Sequence, residues 1–109
     1  MDHARAAEAE RSFLILKITV RESPEAVTLI LEGRLAGPWI WEVERAWSAI
    51  TTKIRGLHLV VDLSGVSFIE AEGKTLLRRI SEQEGELRAD DVMTKAIIEE
   101  VQGRGSNTV

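Results

Sequence analysis

The sequence of 109 residues contains no cysteine, which excludes disulfides and thiolate metal sites. It also lacks a basic excess. Against 18 Asp and Glu stand 14 Lys and Arg, and a net charge of −4 gives no field to gather a phosphodiester backbone, so nucleic acid is not an expected partner. No apolar run approaches the ~20 residues needed to cross a bilayer, and the N-terminal MDHARAAEAER lacks the apolar stretch of a signal peptide. The expectation is a cytoplasmic protein without direct membrane insertion. Histidine is scarce too: His3 sits in the N-terminal segment and His58 in a predicted strand, so no general base is paired with a nucleophile. Gly33, Gly37 and Gly65 are isolated turn glycines and form no phosphate-cradling array. No catalytic residue, cofactor or metal site is expected.

What the chain does have is enough apolar residue, 44%, to build one core. That suits a single domain, since domains commonly hold about 100 to 150 residues. The domain is expected over residues 12–103, with residues 1–11 and 104–109 as flexible termini, because both ends lack an apolar face. Leu14, Leu16, Ile18 and Val20 alternate with Ile15, Lys17 and Thr19; after the turn at Glu22 to Glu25, Val27, Leu29 and Leu31 alternate in the same way. The two runs predict an antiparallel hairpin.

Gly37 and Pro38 open a helix whose buried stripe is Trp39, Ile40, Val43, Ala46, Trp47, Ile50 and Ile54. Leu57 to Leu63 alternates little and reads as a central strand covered on both faces, followed by a short polar turn. The next helix buries Gly73, Leu76, Leu77 and Ile80. A short strand around Glu86 to Ala89 precedes a last helix, capped by Asp90 or Asp91, stopped by Gly103, with Met93, Ile97, Ile98 and Val101 inward. Gly73 is unusual so early in a helix, costing about 1 kcal/mol relative to Ala, and close backbone packing accounts for it.

The stretch VVDLSGVSFIEAEGKTLL resembles the STAS family of bacterial anti-sigma-factor antagonists at its strand-to-helix junction. Val61, Asp62, Leu63, Val66, Phe68, Ile69, Gly73 and Leu77 stand where that family's pattern expects them, and VTLILEGRL, Val27 to Leu35, is similar to its second strand and following turn. The resemblance implies an α/β fold: a STAS-like single domain, a mixed four-stranded sheet with helices packed against it, order β-β-α-β-α-β-α. It implies a role in transcription regulation and signal transduction through a regulatory protein partner such as an anti-sigma factor kinase. In that family a serine of the turn accepts phosphate and so releases the partner. Here Glu70, Ala71, Glu72 and Gly73 fill the turn, with Glu72 at the phosphoacceptor position, and Ala36 replaces a nearby aspartate. A switch of the usual kind is therefore not expected.

As first-turn acids, Glu70 and Glu72 stabilise a helix by about 0.3 to 1 kcal/mol. Glu72 also puts one negative charge where phosphoserine would carry about 1.5 to 2, and on that reading it imitates the phosphorylated state or makes the turn indifferent to kinases. Ser64 and Ser67 flank the polar turn and either take a phosphate, bind a partner backbone or, as is more usual, bond their own main chain. Trp41 lies about 160° around its helix from Val43, away from the core stripe, where an aromatic serves as an interaction anchor or lies flat over a neighbouring segment. The partner-binding surface expected from these readings comprises Glu70, Ala71, Glu72, Gly73, Arg34, Ala36, Ser67 and Trp41. Two other roles fit the same residues: an accessory subunit of a membrane transporter or signalling assembly, and a homodimer or larger scaffold built through Trp41 or the first strand.

Overall fold

The computed structural model describes residues 16–53 and 56–103. In chain order these form β1 (Leu16–Glu22), β2 (Ala26–Leu35), α1 (Pro38–Lys53), β3 (His58–Ile69), α2 (Ala71–Glu82), β4 (Glu86–Arg88) and α3 (Val92–Gln102), the predicted sequence of elements. One mixed sheet holds the strands in the order β1-β2-β3-β4, with β1 antiparallel to β2 and the other neighbours parallel. Expectations for His3, Leu14, Ile15, Ile54 and both termini lie outside the described residues.

Alternation works on β2 as predicted. Val27, Leu29, Leu31 and Leu35 are buried, and the last three share one core with Ile40, Val43 and Trp47 of α1, Leu76, Leu77 and Ile80 of α2, and Ile98 and Val101 of α3. All three helices thus cover one face of the sheet. Each fully buried Leu or Ile in this layer contributes about 1.5 to 3 kcal/mol over an exposed one. Trp47 fixes α1 further, its Nε1–H donating to Gln83 Oε1 at 3.0 Å just beyond the end of α2.

Three expectations are corrected. The first concerns β3, which does not stop at Leu63 before a polar turn but runs on to Ile69. Ser64, Gly65 and Ser67 therefore lie inside a strand. Two bulges make this possible: Leu63 and Ser64 together face Leu31 alone, and Ser67 is inserted where β2 passes directly from Gly33 to Arg34. Each extra residue resets which side faces inward, so the buried positions fall at Leu63, Val66 and Ile69, every third residue. Backbone groups displaced at the bulges find local partners. Asp62 Oδ1 accepts from Ser64 N–H at 2.9 Å, and Ser67 Oγ donates to Gly33 O at 3.3 Å.

Second, Met93 points outward with 76% of its surface exposed, and Thr94 takes the buried place. Asp91 is the N-cap, accepting from Thr94 N–H at 2.8 Å and Thr94 Oγ1 at 2.7 Å, which centres the stripe on Thr94, Ile98 and Val101 and leaves Met93 to one side. These hydrogen bonds from Thr94 hold the Asp91 carboxyl below its ordinary value. Third, Val20 is 47% exposed, because β1 is the last strand of the described sheet and the helical layer does not reach its far end.

Candidate functional site

Leu35 and Ile69, the last residues of two parallel strands, are register partners. The chain segments that leave them must therefore start α1 and α2 side by side at one end of the sheet's two inner strands. One residue joins the two starts. Glu70 N–H donates to Leu35 O at 2.9 Å, while Glu70 Oε1 accepts from Gly37 N–H at 2.9 Å. Gly37 has φ of 58°, a left-handed conformation that suits glycine, and Pro38 follows it as the first residue of α1.

Glu70 was expected among the first-turn acids of α2. It is instead the extended N-cap residue, with φ −74° and ψ 162°, and its side chain makes no cap bond to its own helix. The carboxylate crosses to α1. Glu72 does lie in the first turn of α2, exposed, and takes part in no ion pair or side-chain hydrogen bond among the described residues.

Between the two helices runs a groove of about 310 Å³. Gly37, Ile40, Trp41 and Glu44 line it from α1 and its leading turn; Glu72, Thr75, Leu76 and Arg79 line it from α2. An ion pair closes its far end, Arg79 to Glu44 at 3.0 Å. Trp41 is 62% exposed, as its position around α1 predicted, and it shares this groove with Glu72.

The remaining expected residues divide. Ala71 is exposed, and its carbonyl accepts from Thr75 Oγ1 at 3.3 Å. Gly73 is buried and offers no side chain to a partner; a Cβ there would stand 3.0 Å from Leu35 Cγ and 3.1 Å from Leu35 O, so its role is to let α2 approach β2. Ala36 is half-buried in the turn, its carbonyl accepting from Trp39 N–H at 3.2 Å. Arg34 belongs to the opposite face of the sheet, where its guanidinium lies 4.3 Å from the centre of the Phe68 ring. Ser67 is held at the second bulge, also away from the groove. Trp41, Glu72 and Glu70 are thus gathered at one corner, and Arg34 and Ser67 are not.

Glu44, Thr75 and Arg79 escaped the sequence reading, which placed Ile40 and Leu76 in the core alone. Spacing alone puts Glu72, Thr75 and Arg79 on one side of a helix, and Trp41 and Glu44 on one side of another. That those sides face each other follows from the pairing of Leu35 with Ile69, which no local pattern encodes.

Elsewhere His58 begins β3, exposed, and pairs with Glu86 of β4. The hydrogen bond from His58 holds the Glu86 carboxyl below its ordinary value; burial opposes this, and Arg88 adds to the lowering. Among the described residues no group of His, Asp and Glu could hold a metal ion, and no helix is long and apolar enough to cross a membrane.

No protein-family model matches the sequence, and no curated protein does. Solved structures do match. The chain is similar to an anti-sigma factor antagonist from Mycobacterium paratuberculosis, with a TM-score of 0.70 and 20% identity over 84% of this chain and 81% of that one. It is also similar to a part of Mglu, with a TM-score of 0.52 and 25% identity over 67% of this chain and 19% of that one. An antisigma-factor antagonist STAS domain from Rhodobacter sphaeroides matches with a TM-score of 0.48 and 18% identity over 69% of this chain and 85% of that one. A mixed four-stranded sheet with three helices on one face, shared with an anti-sigma factor antagonist over most of both chains, gives this protein a STAS-like fold.

Proposed function

We propose that this chain is a non-enzymatic regulatory module that works by binding another protein, in the manner of an anti-sigma-factor antagonist, and that phosphorylation at the head of α2 does not switch it. The observation that carries this reading is the exposed corner at the starts of α1 and α2. It offers Trp41 and Glu72 to solvent and has no hydroxyl at Glu70, Ala71 or Glu72. An aromatic side chain beside a groove is the usual kind of anchor in a protein interface. Arg34 and Ser67, on the other side of the same strand ends, belong to a wider contact area or serve the sheet alone. The partner class follows the fold likeness: a regulatory protein, with an anti-sigma factor of kinase fold as the first candidate.

The reading is tested by pull-down from lysate of the source cell with wild type, Trp41→Ala and Glu72→Ser side by side. Recovery of one regulatory protein by wild type, and its loss with Trp41→Ala, is the expected outcome. Equal recovery by all three would remove this corner from the interface. Mass spectrometry of the chain from the same cells is expected to find no phosphate on Ser64 or Ser67.

A further inference from the structure

We propose that the groove between α1 and α2 receives a cationic side chain, arginine or lysine, of the protein that binds there, its stem along the Trp41 indole and its charge on the Glu72 carboxylate. This rests on the protein-binding reading and adds the chemistry of the partner's anchor.

Charge complementarity decides the occupant. Arg79, the one cation lining the groove among the described residues, is already matched by Glu44 at 3.0 Å, so that pair is close to neutral. Glu72 is left with no matching charge among the described residues. Glu70, bonded to Gly37 of the groove lining, adds a second carboxylate, which is engaged by that backbone N–H and not by a cation. Both helix starts carry partial positive charge, roughly half a unit each, and that favours anions in general. Two full negative charges, Glu70 at the N-cap of α2 and Glu72 in its first turn, outweigh it. An incoming anion would meet carboxylates, and an incoming cation would meet one carboxylate free to pair.

Shape and surroundings select the same occupant. Ile40 and Leu76 give the groove apolar lining, Trp41 stands exposed on one wall, and Glu72 on the other. A long aliphatic stem ending in a charge matches these surfaces, and a cation over an indole face is attracted by the ring even at an exposed site. A volume of about 310 Å³ has room for one long side chain.

The test uses the full chain, labelled for two-dimensional nitrogen–proton spectra, and two blocked peptides: acetyl-Leu-Arg-Leu-amide and the same peptide with citrulline, which keeps the shape and loses the charge. The arginine peptide is expected to shift the Trp41 indole N–H and the amides of Glu72 and Thr75, and the citrulline peptide to bind about tenfold more weakly, a difference of ~1.4 kcal/mol. Glu72→Gln should abolish that difference. The proposal is overturned if both peptides bind wild type equally, if the shifts fall outside the groove, or if neither peptide shifts it at about 10 mM, weaker than any useful anchor. A second arm separates this from the broader reading. If the captured regulatory protein loses affinity with Trp41→Ala but not with Glu72→Gln, the corner still binds protein and the cation site is wrong; if neither change matters, both fail.

Discussion

The carboxylate of Glu70, the residue just before α2, accepts a hydrogen bond of 2.9 Å from the backbone N–H of Gly37, the residue just before α1. Because Glu70 N–H also donates to Leu35 O, this single residue ties the starts of both helices to the end of β2.

Replacing Glu70 should loosen the corner with modest loss of stability. A net hydrogen bond is worth about 0.5 to 1.5 kcal/mol, and the exposed position favours the lower part of that range. Glu70→Ala is expected to lower the urea midpoint accordingly, and Glu70→Gln, which keeps an acceptor oxygen, to restore most of it. Equal loss in both variants would mean that the charge, and not the tie to Gly37, supports the corner.

Three glycines rank by what a methyl group would strike. At Gly85 it would stand 2.5 Å from Trp47 Cη2 and 2.7 Å from Ile80 Cγ2, both in the core, so Gly85→Ala should be the most damaging. At Gly73 it would crowd Leu35 Cγ and O at 3.0 and 3.1 Å; overpacking of about 1 to 3 kcal/mol outweighs a helix-propensity gain of ~1 kcal/mol. At Gly65 the nearest atom, at 2.8 Å, is Cγ of the exposed Glu32 side chain, which can swing aside. Unfolding midpoints are expected to fall in the order Gly65→Ala, Gly73→Ala, Gly85→Ala, with the last the least stable. A Gly73→Ala protein as stable as wild type would contradict the close approach of α2 to β2.

The hairpin, the central strand and the helix stripes could be read from local periodicity, because Val27, Leu29 and Leu31 alternate cleanly and Ile40, Val43 and Trp47 recur at helical spacing. The distal half of β3 could not. Leu63, Val66 and Ile69 are three residues apart, a spacing foreign to an unbroken strand, and Ser64 and Gly65 imitate a turn; two bulges reconcile the spacing with the sheet. Met93 was misplaced because the side-chain cap of Asp91 fixes the start and rotation of α3. At the site, the exposure of Trp41 was legible from its angle on the helix. The reach of Glu70 to Gly37 spans 33 residues of sequence and depends on the register of β2 with β3, so no short-range pattern announces it.

Acid should weaken this fold through Glu86 and Asp91. Both carboxyls lie below their ordinary values in the folded chain, Glu86 through His58 and Asp91 through Thr94. A depressed folded value means that the stabilisation is complete above the unfolded value and disappears as pH falls through the folded one. Stability measured from about pH 7 down to about pH 3 should therefore decline more steeply for wild type than for Glu86→Gln, with the gap between them closing in acid. For the exposed Glu86 pair the effect is small, under about 1 kcal/mol. Parallel curves would show that the His58 contact has no energetic weight.

The most direct measurement is a calorimetric titration of the captured regulatory protein into wild type, Trp41→Ala and Glu72→Ser. If the corner at the heads of α1 and α2 is the docking surface, Trp41→Ala should weaken binding by about tenfold or more while the far-ultraviolet spectrum and unfolding midpoint stay near those of wild type. The cation site adds that Glu72→Ser weakens it as well. Affinity unchanged in both variants would contradict the account.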